Sequence, residues 1–205
     1  MTQTIITKLL TLPGIIIGLS FHEFAHAWMS DRLGDPTPSR QGRLTVNPLA
    51  HIDPLGFVAL LLVGFGWGKP VMIDAGYYKN RRRDEFLVAI AGVTMNLIVA
   101  VILSFPAKAL MNMYYSSGSA LVENIFYIVY YAVSINVCLM VFNLIPCPPL
   151  DGWNIVTQIF RLDRYRWWYK VYQYGQWILI LLIVANITDL ILMPGVTAIM
   201  HLLGF

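Results

Sequence analysis

Residues 9–30 form an apolar run of 22 positions with a single formal charge, Glu23, and that carboxylate lies between two histidines. The local sequence is His22-Glu23-Phe24-Ala25-His26. A helix needs about 20 apolar residues to cross the roughly 30 Å hydrocarbon core of a bilayer. Within such a segment every backbone donor and acceptor must be satisfied internally, which makes helix the natural conformation. The helix then fixes the geometry of the motif. Positions four apart share a face, so His22 and His26 can bind one metal ion together. Glu23 is rotated by about 100° from His22 and can act on water that the metal activates. H-E-x-x-H on a helix is a zinc-protease motif with this mechanism. Two histidines and a carboxylate are also costly to insert into a bilayer, and ionisable groups there mark function.

The whole chain is consistent with a membrane protein. It is 58% hydrophobic and only 12% charged, with a mean hydropathy of +0.64. A net charge of +3, without a basic stripe carrying interleaved aromatics, gives no footprint for nucleic acid. The 205 residues leave no room for an appended soluble domain once the spans are counted, so one domain over 1–205 is expected. Cys138 and Cys147 lie in apolar sequence without metal-ligand spacing and are expected to be buried thiols. The first apolar run lacks a small-residue cleavage site, so it is not expected to be a removable signal peptide.

Charged residues divide the chain into further apolar runs. The expected spans cover about 9–30, 86–107, 124–146 and 173–193; Pro146, Pro148 and Pro149 end the third. Residues 54–68 are also apolar, but this run has only 15 residues and contains Gly56, Gly64, Gly66 and Gly68. It suits a re-entrant or interfacial segment. Charge placement supports that choice. With four spans, 12 of the 14 basic residues fall on one side and only Lys8 and Lys108 on the other. Positive loops stay cytoplasmic, so both termini are expected outside. The fold expected is an all-α polytopic membrane protein, with Leu44–Val46 and Val71–Ile73 as candidate short strands near the membrane surface.

A catalytic zinc site usually has three protein ligands and an open position. Asp151 is the best candidate for the third, in Asn143-Leu-Ile-Pro146-Cys-Pro148-Pro149-Leu150-Asp151-Gly152. Spans one and three run in the same direction. His26 lies about 6 Å from the inner end of the first, at 1.5 Å per residue. Asp151 closes the inner end of the third, so both reach a similar depth. His51 and Asp53 are the rivals, although His51-Ile-Asp53-Pro54 also reads as an Asx-type turn.

The two motifs together resemble the site-2 proteases, intramembrane zinc metalloproteases with H-E-x-x-H in one core span and N-x-x-P-x-P-x-L-D-G in another. Asn47-Pro-Leu-Ala-His51-Ile-Asp53-Pro54-Leu-Gly56 adds a likeness to the compact prokaryotic branch without PDZ or CBS domains. The resemblance implies Zn²⁺ held by His22, His26 and Asp151, with Glu23 as catalytic acid and base. It implies transmembrane-helix proteins as substrates, cut near the cytoplasmic face of a prokaryotic plasma membrane. The family's glycine–proline pair before an asparagine is here Gly92-Val93-Thr94-Met95-Asn96, with valine for proline. Asn143, Asn96 and His51 are candidates for contacts with substrate backbone or oxyanion, while Asn136 and Asn186 are expected to serve packing. The competing readings are a membrane zinc-binding or transport protein, and an inactive relative that binds transmembrane helices. The intact Glu23 argues against both.

Overall fold

The computed structural model describes residues 2–63 and 66–205, and the architecture is helical throughout. Helix α1 (Thr2–Arg32) carries the histidine pair and runs on through Pro13. Short helices α2 (Thr37–Arg40) and α3 (Pro48–His51) precede α4 (Pro54–Val63). Then come α5 (Arg81–Ser117), α6 (Ala120–Asn143), α7 (Asp151–Phe160), α8 (Arg166–Val184) and α9 (Asp189–Leu202). Three segments are long and apolar enough to cross a membrane: Ile6–Arg32, Arg81–Ser117 and Ala120–Asn143. Large side chains such as Ile102, Phe105, Leu121 and Leu181 point outward, as lipid-facing residues do. This is a multi-pass membrane protein.

The centre of the bundle is α1, α5 and α6, packed on one another. Hydrophobicity does not drive helices together in lipid, so close contact requires small residues. At Gly14 an added Cβ would lie 2.7 Å from Ala132 Cα, and at Gly18 it would meet Leu139 and Asn136. The contacts advance together, 14 with 132 and 18 with 136, so α1 and α6 run parallel. Against α5 the order reverses: His22 bonds Asn96 and His26 bonds Val88. The equal direction expected for the first and third spans is therefore present. Ala100, Val133 and Val137 fill the seam between α5 and α6, with no exposed surface.

Two expectations are corrected. Among the described residues no β-strand forms; the nearest feature is an isolated antiparallel bridge between Ile52 and Gly68. Leu44–Val46 and Val71–Ile73 find no neighbouring strand, because their polar groups bond to side chains. Thr45 O accepts from His51 Nε2, and Val71 N–H donates to Glu23. The expected fourth span over 173–193 is not one helix either. It is broken at 185–188, where Asn186 has φ 56°, and α8 and α9 meet at a 75° bend.

The 54–68 segment behaves as its length suggests. Helix α4 leaves beside Ile52, and the chain is back beside it at Gly68; residues 64 and 65 between them lie outside the described residues. Nearer the first span, Asp35 ties three loops together. Its Oδ1 accepts from Thr37 N, and its Oδ2 accepts from Ser30 Oγ and Asp74 N. Burial opposes its charge, but these donors hold the carboxyl below its ordinary value. Ser30 Oγ is also 2.6 Å from the Tyr78 hydroxyl. This network anchors residues 71–78 against the end of α1.

The close approach at Gly14 is testable. Gly14→Val must push α1 from α6, and overpacking of this kind typically costs about 1–3 kcal/mol. Thermal unfolding in detergent is expected to move to lower temperature; an unchanged midpoint would mean the two helices are not in contact there.

Candidate metal centre

Position i to i+4 on α1 brings the two imidazoles edge to face, with ring centroids 4.6 Å apart. The third group arrives from α7. The prolines at 146, 148 and 149 carry no backbone N–H, so the chain leaves α6 without stranding those donors. Gly152 permits the tight return. A Cβ there would lie 2.3 Å from Leu144 O and 2.5 Å from Ile145 O. Asp151 thus begins α7 directly beside the histidines.

The three ligand atoms converge. His22 Nε2 and His26 Nε2 are 3.0 Å apart, and each is 3.3 Å from Asp151 Oδ2. Donors about 2.0–2.1 Å from a tetrahedral zinc ion are separated by about 3.3–3.4 Å. The spacing therefore matches one coordination sphere. Proton placement supports the same conclusion. His22 Nδ1 is 2.7 Å from Asn96 Oδ1, and His26 Nδ1 is 2.8 Å from Val88 O. Both partners only accept, so both Nδ1 atoms carry hydrogen, and each ring turns its Nε2 toward the other and toward Asp151. Asp151 Oδ2 is buried and without a hydrogen-bond donor. Three buried lone pairs aimed at one point repel unless a cation lies among them, so the residues present fit a metal ion.

Gly92 provides the remaining space. A Cβ on it would lie 2.5 Å from His26 Nε2 and 2.6 Å from His22 Cε1. Any side chain at 92 would press on the ligands. Glu23 stands apart from the ligand cluster, which comprises His22, His26 and Asp151. Its Oε2 accepts from Val71 N at 3.0 Å. All four residues border a cavity of about 620 Å³ that also reaches Asn143, Arg81, Glu85 and Asp163. The cavity therefore leads from the ligand atoms to a charged rim.

The other expected site residues divide. Asn143 borders the cavity, with Nδ2 donating to Leu139 O. His51 does not reach it. It is fully buried, with Nε2 bonded to Thr45 O. Asp53, the other rival ligand, caps α4 by accepting from Gly56 N. Asn96 has no exposed surface and supports His22 from behind, so a substrate contact is replaced by a contact to a ligand. Gly92, Val88, Val71 and Asn136 escaped sequence reasoning as site residues. Gly92 lay in the quoted family-like segment, but nothing in one sequence shows what a glycine faces.

Comparison with known proteins agrees with this geometry. The family model described as peptidase family M50 matches residues 106–185. The chain is 34% identical over 191 residues to "Putative zinc metalloprotease YwhC" of Bacillus subtilis (strain 168), covering 90% of this chain and 84% of that protein. The chain belongs to peptidase family M50. This is the site-2 protease family that the two motifs resemble. The chain is also 28% identical over 186 residues to "Putative zinc metalloprotease Rip2" of Mycolicibacterium smegmatis, covering 86% of this chain and 67% of that protein. No solved structure matches the chain.

Two substitutions test the centre. The purified wild type is expected to hold about one zinc per chain. Asp151→Ala removes one of three donors, and Gly92→Ala leaves all three but invades their space. Both are expected to lose most of the metal by elemental analysis. Full zinc content in the Asp151 variant would assign the third ligand elsewhere.

Proposed function

We propose that this zinc metalloprotease hydrolyses peptide bonds within transmembrane segments of membrane-anchored proteins, near the cytoplasmic face. One intramembrane protease domain over 1–205 carries the proposed activity. The observation that carries the reading is the Nε2, Nε2, Oδ2 cluster set beside Glu23 within helices that are apolar outside. His22, His26 and Asp151 hold Zn²⁺, which when bound lowers the pKa of a water and polarises the scissile carbonyl.

Glu23 supplies the proton transfers. It takes a proton from the attacking water and gives it to the leaving amine. Asn143, bordering the same cavity, is suited to hydrogen-bond substrate backbone or the developing oxyanion. Water reaches the bond from the charged rim around Arg81, Glu85 and Asp163. A substrate helix has its amides engaged and must unwind locally, so glycine or other weak helix formers near the cut favour cleavage. The 12-to-2 division of basic residues supports a cytoplasmic position for the rim. The site consequently reaches the inner part of a substrate span.

Glu23→Gln separates protease from metal carrier. It keeps side-chain volume and removes the proton acceptor. Zinc should remain bound, while cleavage of a reconstituted single-span substrate containing glycine should fall by about 10²–10⁴-fold. Near-normal turnover in a zinc-loaded variant would sink the proposed role of Glu23. Orientation is tested separately. Cysteine at Asn80 should be shielded from an impermeant thiol reagent outside intact cells, and cysteine at Ser117 should react. The reverse labelling would overturn the assignment of the cytoplasmic side.

A further inference from the structure

The two histidines are held from behind in different ways. His26 Nδ1 donates to a backbone carbonyl, Val88 O, which no substitution can remove. His22 Nδ1 donates to a side-chain amide, Asn96 Oδ1. An amide can turn over and present its NH₂ instead, so something must fix which end faces His22. Asn96 Nδ2 donates to Gly18 O at 3.0 Å and to Asn136 Oδ1 at 3.0 Å. Asn136 Nδ2 in turn donates to Ala132 O at 2.8 Å. Both asparagines are fully buried.

The direction of this chain is determined at its far end. Ala132 O only accepts, so Asn136 must direct its NH₂ there and its oxygen toward Asn96. Two oxygens then face the Asn96 NH₂, and the Asn96 oxygen is left for His22. Reversing Asn96 would bring its oxygen against Asn136 Oδ1 and Gly18 O, and would set its NH₂ against His22 Nδ1. Reversal also demands the other histidine tautomer, with hydrogen on Nε2 where a metal ligand needs a lone pair.

We infer that Asn136 and Asn96 form a buried amide relay across α6, α5 and α1 that locks His22 in its Nδ1–H tautomer and so keeps Nε2 open for the metal. Both are positioning residues. Asn136 acts from a third helix without touching a ligand. The inference rests on the metal-site reading for its consequence, but the tautomer itself can be read without metal.

The test uses the full chain in detergent, ¹⁵N-labelled at histidine. Ring-nitrogen shifts of metal-stripped protein report each tautomer, with His22 assigned by its substitution. Wild type should show His22 purely as Nδ1–H. Asn96→Leu and Asn136→Leu are close in shape and remove the relay, so an Nε2–H population should appear in both. Asn136→Asp keeps an acceptor facing Asn96, whether ionised or neutral, and should restore the wild-type tautomer. If Asn136→Leu does not fold, Asn136→Ala reads the same loss. With zinc, supporting contacts of this kind are worth about 10–100-fold in affinity, and Asn96→Leu should fall in that range. Asn136→Leu should weaken binding by about 10-fold, at the lower end of that range, and Asn136→Asp should bind like wild type. A role in helix packing alone would lower stability in the leucine variants without moving the tautomer. Wild-type tautomer and zinc affinity in both leucine variants would overturn the relay. The expected tautomer shift in the leucine variants, together with a wild type that binds no zinc, would uphold the relay and remove the metal site.

Discussion

Three electron pairs directed at one point inside an apolar bundle are the constraint on which the rest of this structure depends. In water, hydration would relieve the repulsion among His22 Nε2, His26 Nε2 and Asp151 Oδ2. In a bundle of lipid-facing helices, relief must come from a cation, and the helices must hold the donors in place. Each donor is accordingly fixed from behind. Val88 O fixes one ring, Asn96 fixes the other, and the first turn of α7 fixes the carboxylate. Glycine appears where a side chain would intrude, at 92 over the rings and at 152 under the returning chain.

The bundle is arranged to permit this. Ligands come from α1 and α7, while α5 supplies the supporting backbone and amide. Because α1 and α6 run parallel, the chain leaving α6 emerges at the depth of His26. A short proline-rich turn then suffices to deliver Asp151. An antiparallel pairing of α1 with α6 would leave that turn at the opposite end of the helix. The small residues along α1 at 14 and 18 are therefore part of the metal centre's architecture, although neither touches a ligand.

Much of the site was legible in the sequence because its chemistry is local. His22, Glu23 and His26 are fixed by helical spacing alone, and Asp151 followed from the direction of two spans. What was not legible depends on contacts between distant segments. Asn96 read as a candidate for substrate or oxyanion contact and Asn136 as a packing residue; the hydrogen bonds that join them to each other and to His22 depend on neighbours that one sequence does not show. His51 was a rival ligand and an oxyanion candidate, with a surface histidine beside an Asx-type turn as the alternative; at the end of α3 it is instead completely buried. The alternation at Val71–Ile73 suggested a strand, but among the described residues no strand lies alongside it. The fourth span failed as a continuous helix because hydropathy averages over residues 185–188 and does not register the bend.

The position of Val71 links this misread segment to Glu23. Its N–H holds Glu23 Oε2, and among the described residues Oε1 has no hydrogen-bond partner. The Glu23 carboxylate is thus held through one of its oxygens. Residues 71–78 are secured in turn to the end of α1 through Asp35 and Tyr78. The proposed general base is therefore held by a loop anchored to the same helix that carries it. A shift of α1 would move His22, His26, Glu23 and the 71–78 loop together, whereas Asp151 is carried separately by α7. That common anchorage keeps Glu23 in register with the two histidines, while the position of Asp151 depends on how α7 packs beside them.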